Sequence, residues 1–247
     1  MEKILDVSNL SKIYHSPKNE VLAIKNISFS VNRGEFISIV GPSGCGKSTI
    51  LSILSGLLSK SDGDISLKNA SMSYMLQDDC LLPYLTILDN CLIGLKITGK
   101  LNDESKDYVI NLLKTYGLEE FMDKYPKNLS GGMRQRAALI RTLATKPDIL
   151  LLDEAMSALD YQSRLNISDD IYRIIKNEGK TAIMVTHDIS EAVSMSDRVI
   201  VLSRRPSVVK NIYDIKLKNK STPINNRKDK EFSKYFDLIW RDLNENL

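Results

Sequence analysis

Apolar and polar positions alternate along residues 4–31, the period-two pattern of half-buried antiparallel strands, with the polar stretch 16–19 as a turn. The pattern then changes. Residues 36–40 (Phe-Ile-Ser-Ile-Val) are apolar and β-branched, as a buried parallel strand requires, and residues 48–56 continue with helical spacing. From about 78 to 146 the periodicity is helical, clearest over 108–113 (Tyr-Val-Ile-Asn-Leu-Leu). Beyond it, short apolar runs at 149–152, 182–185 and 198–202 alternate with helical stretches such as 165–175. Strands alternating with helices predict a parallel, right-handed α/β sheet. After Pro206 the chain turns Lys- and Asn-rich and weakly patterned, until Phe232, Tyr235, Phe236, Ile239 and Trp240 recur at helical spacing. They predict a terminal helix packing an aromatic stripe. No internal repeat is visible.

Chemistry enters between the first buried strand and its helix. Gly41, Gly46, Lys47 and Ser48 occupy the fixed positions of G-x-x-x-x-G-K-[ST], a phosphate-binding P-loop, in the strand–loop–helix setting the motif demands. Glycines let the backbone wrap a phosphate chain with its N–H groups inward, and the helix N-terminus adds a partial positive charge. The loop residues Gly41, Pro42, Ser43, Gly44, Cys45, Gly46, Lys47, Ser48 and Thr49 are therefore expected to cradle ATP. Lys47 should reach the β- and γ-phosphates and the Ser48 hydroxyl should ligate Mg²⁺. Cys45 sits where the pattern accepts any residue and reads as a small filler.

The run 149–152 (Ile-Leu-Leu-Leu) is too short and too apolar for a surface helix and reads as a central strand, with Asp153 and Glu154 at its C-terminal edge. Open α/β sheets place their ligands there. Asp153 suits a Mg²⁺ role, and Glu154 is placed to orient or deprotonate an attacking water. Paired acids ending a strand also occur in plain solvated turns; the P-loop upstream favours the catalytic reading.

Residues 129–136 (Leu-Ser-Gly-Gly-Met-Arg-Gln-Arg), followed by that acidic strand, resemble the signature of the ATP-binding-cassette (ABC) family. The resemblance implies a P-loop NTPase core with an N-terminal antiparallel β subdomain and an inserted helical subdomain. On it, residues 1–208 form the ATPase domain, with about 78–146 inserted, and 209–247 form a C-terminal extension. Ser130 can cap the helix that follows, leaving its first N–H groups free for an anion. The resemblance further implies that Ser130, Gly131 and Gly132 grip ATP held by a second copy's P-loop, in a head-to-tail dimer. Tyr14 resembles the aromatic that stacks on adenine. Gln77 resembles the glutamine that touches Mg²⁺ and the attacking water, and His187 the switch histidine at the γ-phosphate. Residues 157–160 (Ser-Ala-Leu-Asp) resemble the loop crossing the dimer seam. One departure stands out: Ala155 and Met156 occupy positions where the family usually has Pro-Phe, so packing near the seam is expected to differ. The second histidine, His15, matches nothing and reads as a surface residue.

Composition narrows the setting. The chain has 247 residues, enough for one large domain or one domain with an insertion. A net charge of +3 is too mild to argue for nucleic acid. Three scattered cysteines show neither metal spacing nor a disulfide framework, which fits a reducing cytoplasm. Residues 1–7 carry acids and lack a long apolar core, so no secretory leader is expected, and no apolar run approaches bilayer length. Residues 81–90 (Leu-Leu-Pro-Tyr-Leu-Thr-Ile-Leu-Asp-Asn) and 201–206 resemble the ATPases of nitrate, sulfonate and taurine importers. That resemblance implies a peripheral subunit on the cytoplasmic face of the membrane, working with permease subunits and an extracytoplasmic solute-binding protein. An exporter ATPase would share every catalytic residue. A soluble ABC ATPase of DNA repair or translation usually has a long coiled-coil insertion or two cassettes, and neither is seen.

Overall fold

The computed structural model describes residues 2–15, 17, 19–156 and 160–244. Two long strands, β1 (Lys3–His15) and β2 (Glu20–Asn32), pair antiparallel, and β4 (Asp62–Leu67) adds to the free edge of β1. Ser16 and Lys18 of the expected turn lie outside the described residues, but His15 pairs with Glu20 across it. His15 is exposed there, 2.9 Å from the Glu20 carboxylate.

The second sheet carries the order β5-β6-β7-β3-β8-β9, with β3 (Phe36–Val40), β5 (Met72–Met75), β6 (Ile149–Asp153), β7 (Thr181–Thr186), β8 (Arg198–Leu202) and β9 (Val209–Asp214). Strands β5 through β8 run parallel, and β9 closes the edge antiparallel to β8. Every residue of β3, β6 and β7 is buried, which is why these runs read as unbroken apolar stretches. Because successive side chains point to opposite faces, the strands feed two cores in alternation. Phe36, Leu150, Leu152, Ala182 and Met184 pack into one. Ile37, Ile39, Ile149, Leu151, Ile183 and Val185 pack into the other.

The first core joins the sheet to α2 (Ile87–Ile97), α3 (Asp103–Thr115), α4 (Gly131–Leu143) and α5 (Tyr161–Asn177). The second lies between the sheet, α1 (Lys47–Leu54) and the antiparallel strands. Arginines of α4 tie the helical segment down. Arg134 Nε donates to Asp79 Oδ2 at 2.9 Å, and Arg141 donates to the carbonyls of Asp79 and Cys80, both at 2.6 Å.

The chain after 206 is more structured than its pattern predicts. β9 interrupts the weakly patterned stretch, followed by α7 (Pro223–Asn226) and α8 (Lys230–Asn244). α8 packs on β8, β9 and α6 (Ile189–Met195). Its inward stripe is Phe232, Tyr235, Phe236, Ile239 and Leu243. Trp240, expected in that stripe, is 54% exposed: it follows Ile239 directly and turns a further 100° around the helix.

One glycine in the antiparallel sheet is fixed by space as well as by dihedral. Gly63 has φ +89°, and a Cβ there would lie 2.4 Å from the Asn9 carbonyl oxygen. Both obstacles are backbone, so no rotamer change relieves them. Gly63→Ala is expected to destabilise the fold by about 3 kcal/mol. Urea unfolding monitored by circular dichroism checks this; an unchanged midpoint would contradict it.

Candidate active site

The C-terminal edge of the parallel strands gathers most of the predicted chemistry, as open α/β sheets do. β3 leads into the P-loop, whose tight path is written into two glycines. A Cβ on Gly41 would meet Cys45 Sγ at 2.8 Å and Leu202 Cβ at 3.1 Å, and Gly46 has φ +107°. Cys45 is buried beneath the loop, as a filler should be, and burial pushes its thiol above the usual range. Lys47 is buried too. Its Nζ donates to the carbonyls of Gly41 at 2.9 Å and Pro42 at 3.2 Å, which curls the side chain back over the loop.

β6 delivers the two acids. Ser48 Oγ, on the first turn of α1, donates to Asp153 Oδ1 at 2.9 Å, and the Tyr74 hydroxyl donates to Asp153 Oδ2 at 2.7 Å. A hydroxyl and a carboxylate side by side at a phosphate cradle are hard oxygen donors of the kind Mg²⁺ takes, with phosphates and water completing the shell. Among the described residues, no three His, Cys, Asp or Glu side chains converge into a separate metal cage.

Glu154 stands in the left-handed region at φ 42°, which non-glycine residues rarely adopt. Its N–H donates to the Val185 carbonyl at 2.9 Å, which pins the turn to β7. The carboxylate thereby points across to His187, whose Nδ1 lies 3.1 Å from Glu154 Oε2. His187 is in turn held by the turn that starts α6. Thr186 Oγ1 accepts from Asp188 N–H at 3.0 Å and donates to Glu191 at 2.7 Å; Arg164 approaches Asp188 and Glu191 at 3.6 and 3.9 Å. Burial pushes the Glu191 carboxyl above the usual carboxylate range.

Ser43, Gly44, Gly46, Lys47, Ser48, Thr49, Gln77 and Glu154 line one cleft of about 410 Å³. Tyr14, 41% exposed, reaches this cleft's rim, its hydroxyl 3.2 Å from Thr49 Oγ1. Nine of the predicted residues are thus brought together with Asp153 and His187.

Ser130, Gly131 and Gly132 are not among them. Ser130 caps α4, accepting from Met133 N–H at 3.3 Å, and opens into a different cleft of about 400 Å³. Asp160, the described end of the expected seam loop, lines that second cleft and caps α5 through Ser163 N–H at 3.0 Å; Ser157, Ala158 and Leu159 lie outside the described residues. Ala155 and Met156 are buried in the core against α5, where Ser168 Oγ lies 3.1 Å from Met156 Sδ.

Tyr74, Thr186, Glu191 and Arg164 belong to the site without lying in any of the sequence motifs. Thr186 and Glu191 flank a predicted site histidine. Tyr74 lies three residues before Gln77, on the face of β5 that alternation turns toward α1.

The family model described as ABC transporter matches residues 24–157. The chain is 44% identical to the ABC transporter ATP-binding protein YtlC of Bacillus subtilis, over 97% of its own length and 95% of the relative's. It is 35% identical to the nitrate import ATP-binding protein NrtD of Synechocystis, over 95% and 93%. Among solved structures, the dimeric ATP-binding cassette MJ0796 in a post-hydrolysis state with ADP and Pi superposes with a TM-score of 0.74 at 30% identity, covering 86% of this chain and 99% of that one.

Proposed function

Because the chain belongs to the ABC transporter family and is an ATP-binding, ATP-hydrolysing subunit, we propose that it powers import of a small anionic solute, of the nitrate, sulfonate or taurine kind, through separate permease subunits. The observation that carries the mechanistic part is the separation of two half-sites on one chain. Lys47, Ser48, Gln77, Glu154 and His187 face one cleft or its edge, and the Ser130 helix end opens into another. Head-to-tail pairing of two copies would set each phosphate cradle against the other copy's helix N-terminus, which favours negative charge.

In that arrangement Tyr14 stacks on the adenine, Lys47 leaves the loop carbonyls for the β- and γ-phosphates, and Ser130, Gly131 and Gly132 of the second copy close over the γ-phosphate. Ser48 and Asp153, with Gln77 beside them, would hold Mg²⁺, which supplies charge neutralisation to the phosphates when bound. Glu154 accepts the proton of the attacking water or orients it, and His187 lies within hydrogen-bond reach of the same carboxylate. Hydrolysis removes the shared γ-phosphate and the copies part, a movement of use only when coupled to a membrane partner. No helix among the described residues is long and apolar enough to cross a membrane. We place the subunit at the cytoplasmic face, against permeases that an extracytoplasmic binding protein supplies. The similarity to NrtD along nearly its whole length supports the importer assignment.

The test is affinity purification of tagged Glu154→Gln protein from detergent-solubilised membranes. A multi-span permease with a solute-binding protein is expected. A permease without any binding protein would point to export, and ribosomes or DNA-repair factors would overturn the transport reading.

A further inference from the structure

We propose that Tyr74 is a positioning residue for the metal site, its hydroxyl holding the Asp153 carboxylate in the orientation that binds the ion. The proposal rests on the reading of Ser48 and Asp153 as Mg²⁺ ligands, and it assigns a role to a residue outside every motif of the chain.

The geometry is specific. Asp153 is buried, and its two carboxylate oxygens are each taken by one hydroxyl: Oδ1 by Ser48 at 2.9 Å and Oδ2 by Tyr74 at 2.7 Å. Two donors on different oxygens fix rotation of the carboxylate about its own axis. These donors are not equivalent. An ion held by Ser48 would use a lone pair of Oγ and leave its O–H free to go on donating to Asp153 Oδ1, so Ser48 would be ligand and donor at once. Tyr74 approaches the other oxygen from β5 and would serve only to orient the carboxylate, with no part in the coordination.

Register explains why a tyrosine serves here. β5 and β6 run parallel with Tyr74 opposite Leu151, so Asp153 lies two residues further along the same face of the neighbouring strand. A hydroxyl on a short side chain at 74 would not span that diagonal; a phenol does. The ring packs against the core between the sheet and α1. A phenol carries its proton at neutral pH and so donates to the carboxylate. Ligand-orienting partners of this type alter metal affinity by roughly 10- to 100-fold when removed.

Tyr74→Phe removes one oxygen atom and keeps the ring. The probe is Mn²⁺, titrated into full-length wild-type and Tyr74→Phe protein saturated with a non-hydrolysable ATP analogue, with free Mn²⁺ read by electron paramagnetic resonance. Binding of the same analogue in EDTA is measured in parallel. The expected result is Mn²⁺ affinity lowered roughly 10- to 100-fold in the variant, with metal-free nucleotide affinity unchanged. Equal Mn²⁺ affinity in the two proteins overturns the proposal and leaves the site reading intact. Loss of metal-free binding to the same degree overturns it as well, by marking Tyr74 as a packing residue. A wild-type protein that binds the analogue but shows no nucleotide-dependent Mn²⁺ binding overturns the Ser48–Asp153 reading and this proposal together.

Discussion

Glu154→Gln is expected to lower ATP turnover by about 10²–10⁴-fold while leaving ATP affinity close to that of the wild type. The side chain is placed for this by backbone rather than by chance. A positive φ directly after β6 and the N–H bond to Val185 hold the carboxylate over the cleft that Lys47 and Gln77 line. Gln has the same size, so the turn and the contact toward His187 survive. What is lost is the negative charge proposed to accept the proton of water. Phosphate release at saturating ATP, set beside equilibrium binding of a fluorescent ATP analogue, separates the two effects. Turnover within a few-fold of wild type would remove Glu154 as the catalytic base.

Lys47→Ala acts on the other side of the reaction. In the structure the ammonium is buried and satisfied by two loop carbonyls, a position that holds a positive charge ready for the phosphates. A hydrogen bond to a charged group contributes about 1.5–3 kcal/mol, and the truncation also leaves the carbonyls of Gly41 and Pro42 without that partner. ATP affinity is expected to fall roughly 10- to 100-fold. Isothermal titration with ATP reads this directly, and unchanged affinity would contradict the phosphate role.

What the sequence revealed and what it hid have physical reasons. β3, β6 and β7 are buried on both faces, so their composition alone marks them. Lys47, Ser48, Asp153 and Glu154 were legible because a cradle and a strand-end acid need fixed residue types at short spacing. β4 and β9 were not: both lie at sheet edges, bury no residue fully, and carry polar residues such as Asp62, Asp64, Lys210 and Asn211 in place of an apolar run. Tertiary pairings were also out of reach. Tyr74 meets an acid 79 positions away, and Arg134 and Arg141 meet Asp79 across 55 and 62. No local pattern encodes such a meeting. The left-handed turn at Glu154 is equally silent in sequence, since nothing about a glutamate announces a positive φ. Trp240 shows the reverse error, an aromatic that helical spacing places with its neighbours and that one residue of rotation carries to the surface.

In the proposed cycle ATP joins the Lys47 cleft of one copy to the Ser130 helix end of another. Light scattering on purified Glu154→Gln protein, with and without MgATP, measures it most directly. The expected masses are that of the monomer without nucleotide, twice that with MgATP, and the monomer again when Ser130→Arg is added. A protein that binds ATP yet keeps the monomer mass, or a dimer indifferent to Ser130→Arg, would contradict it.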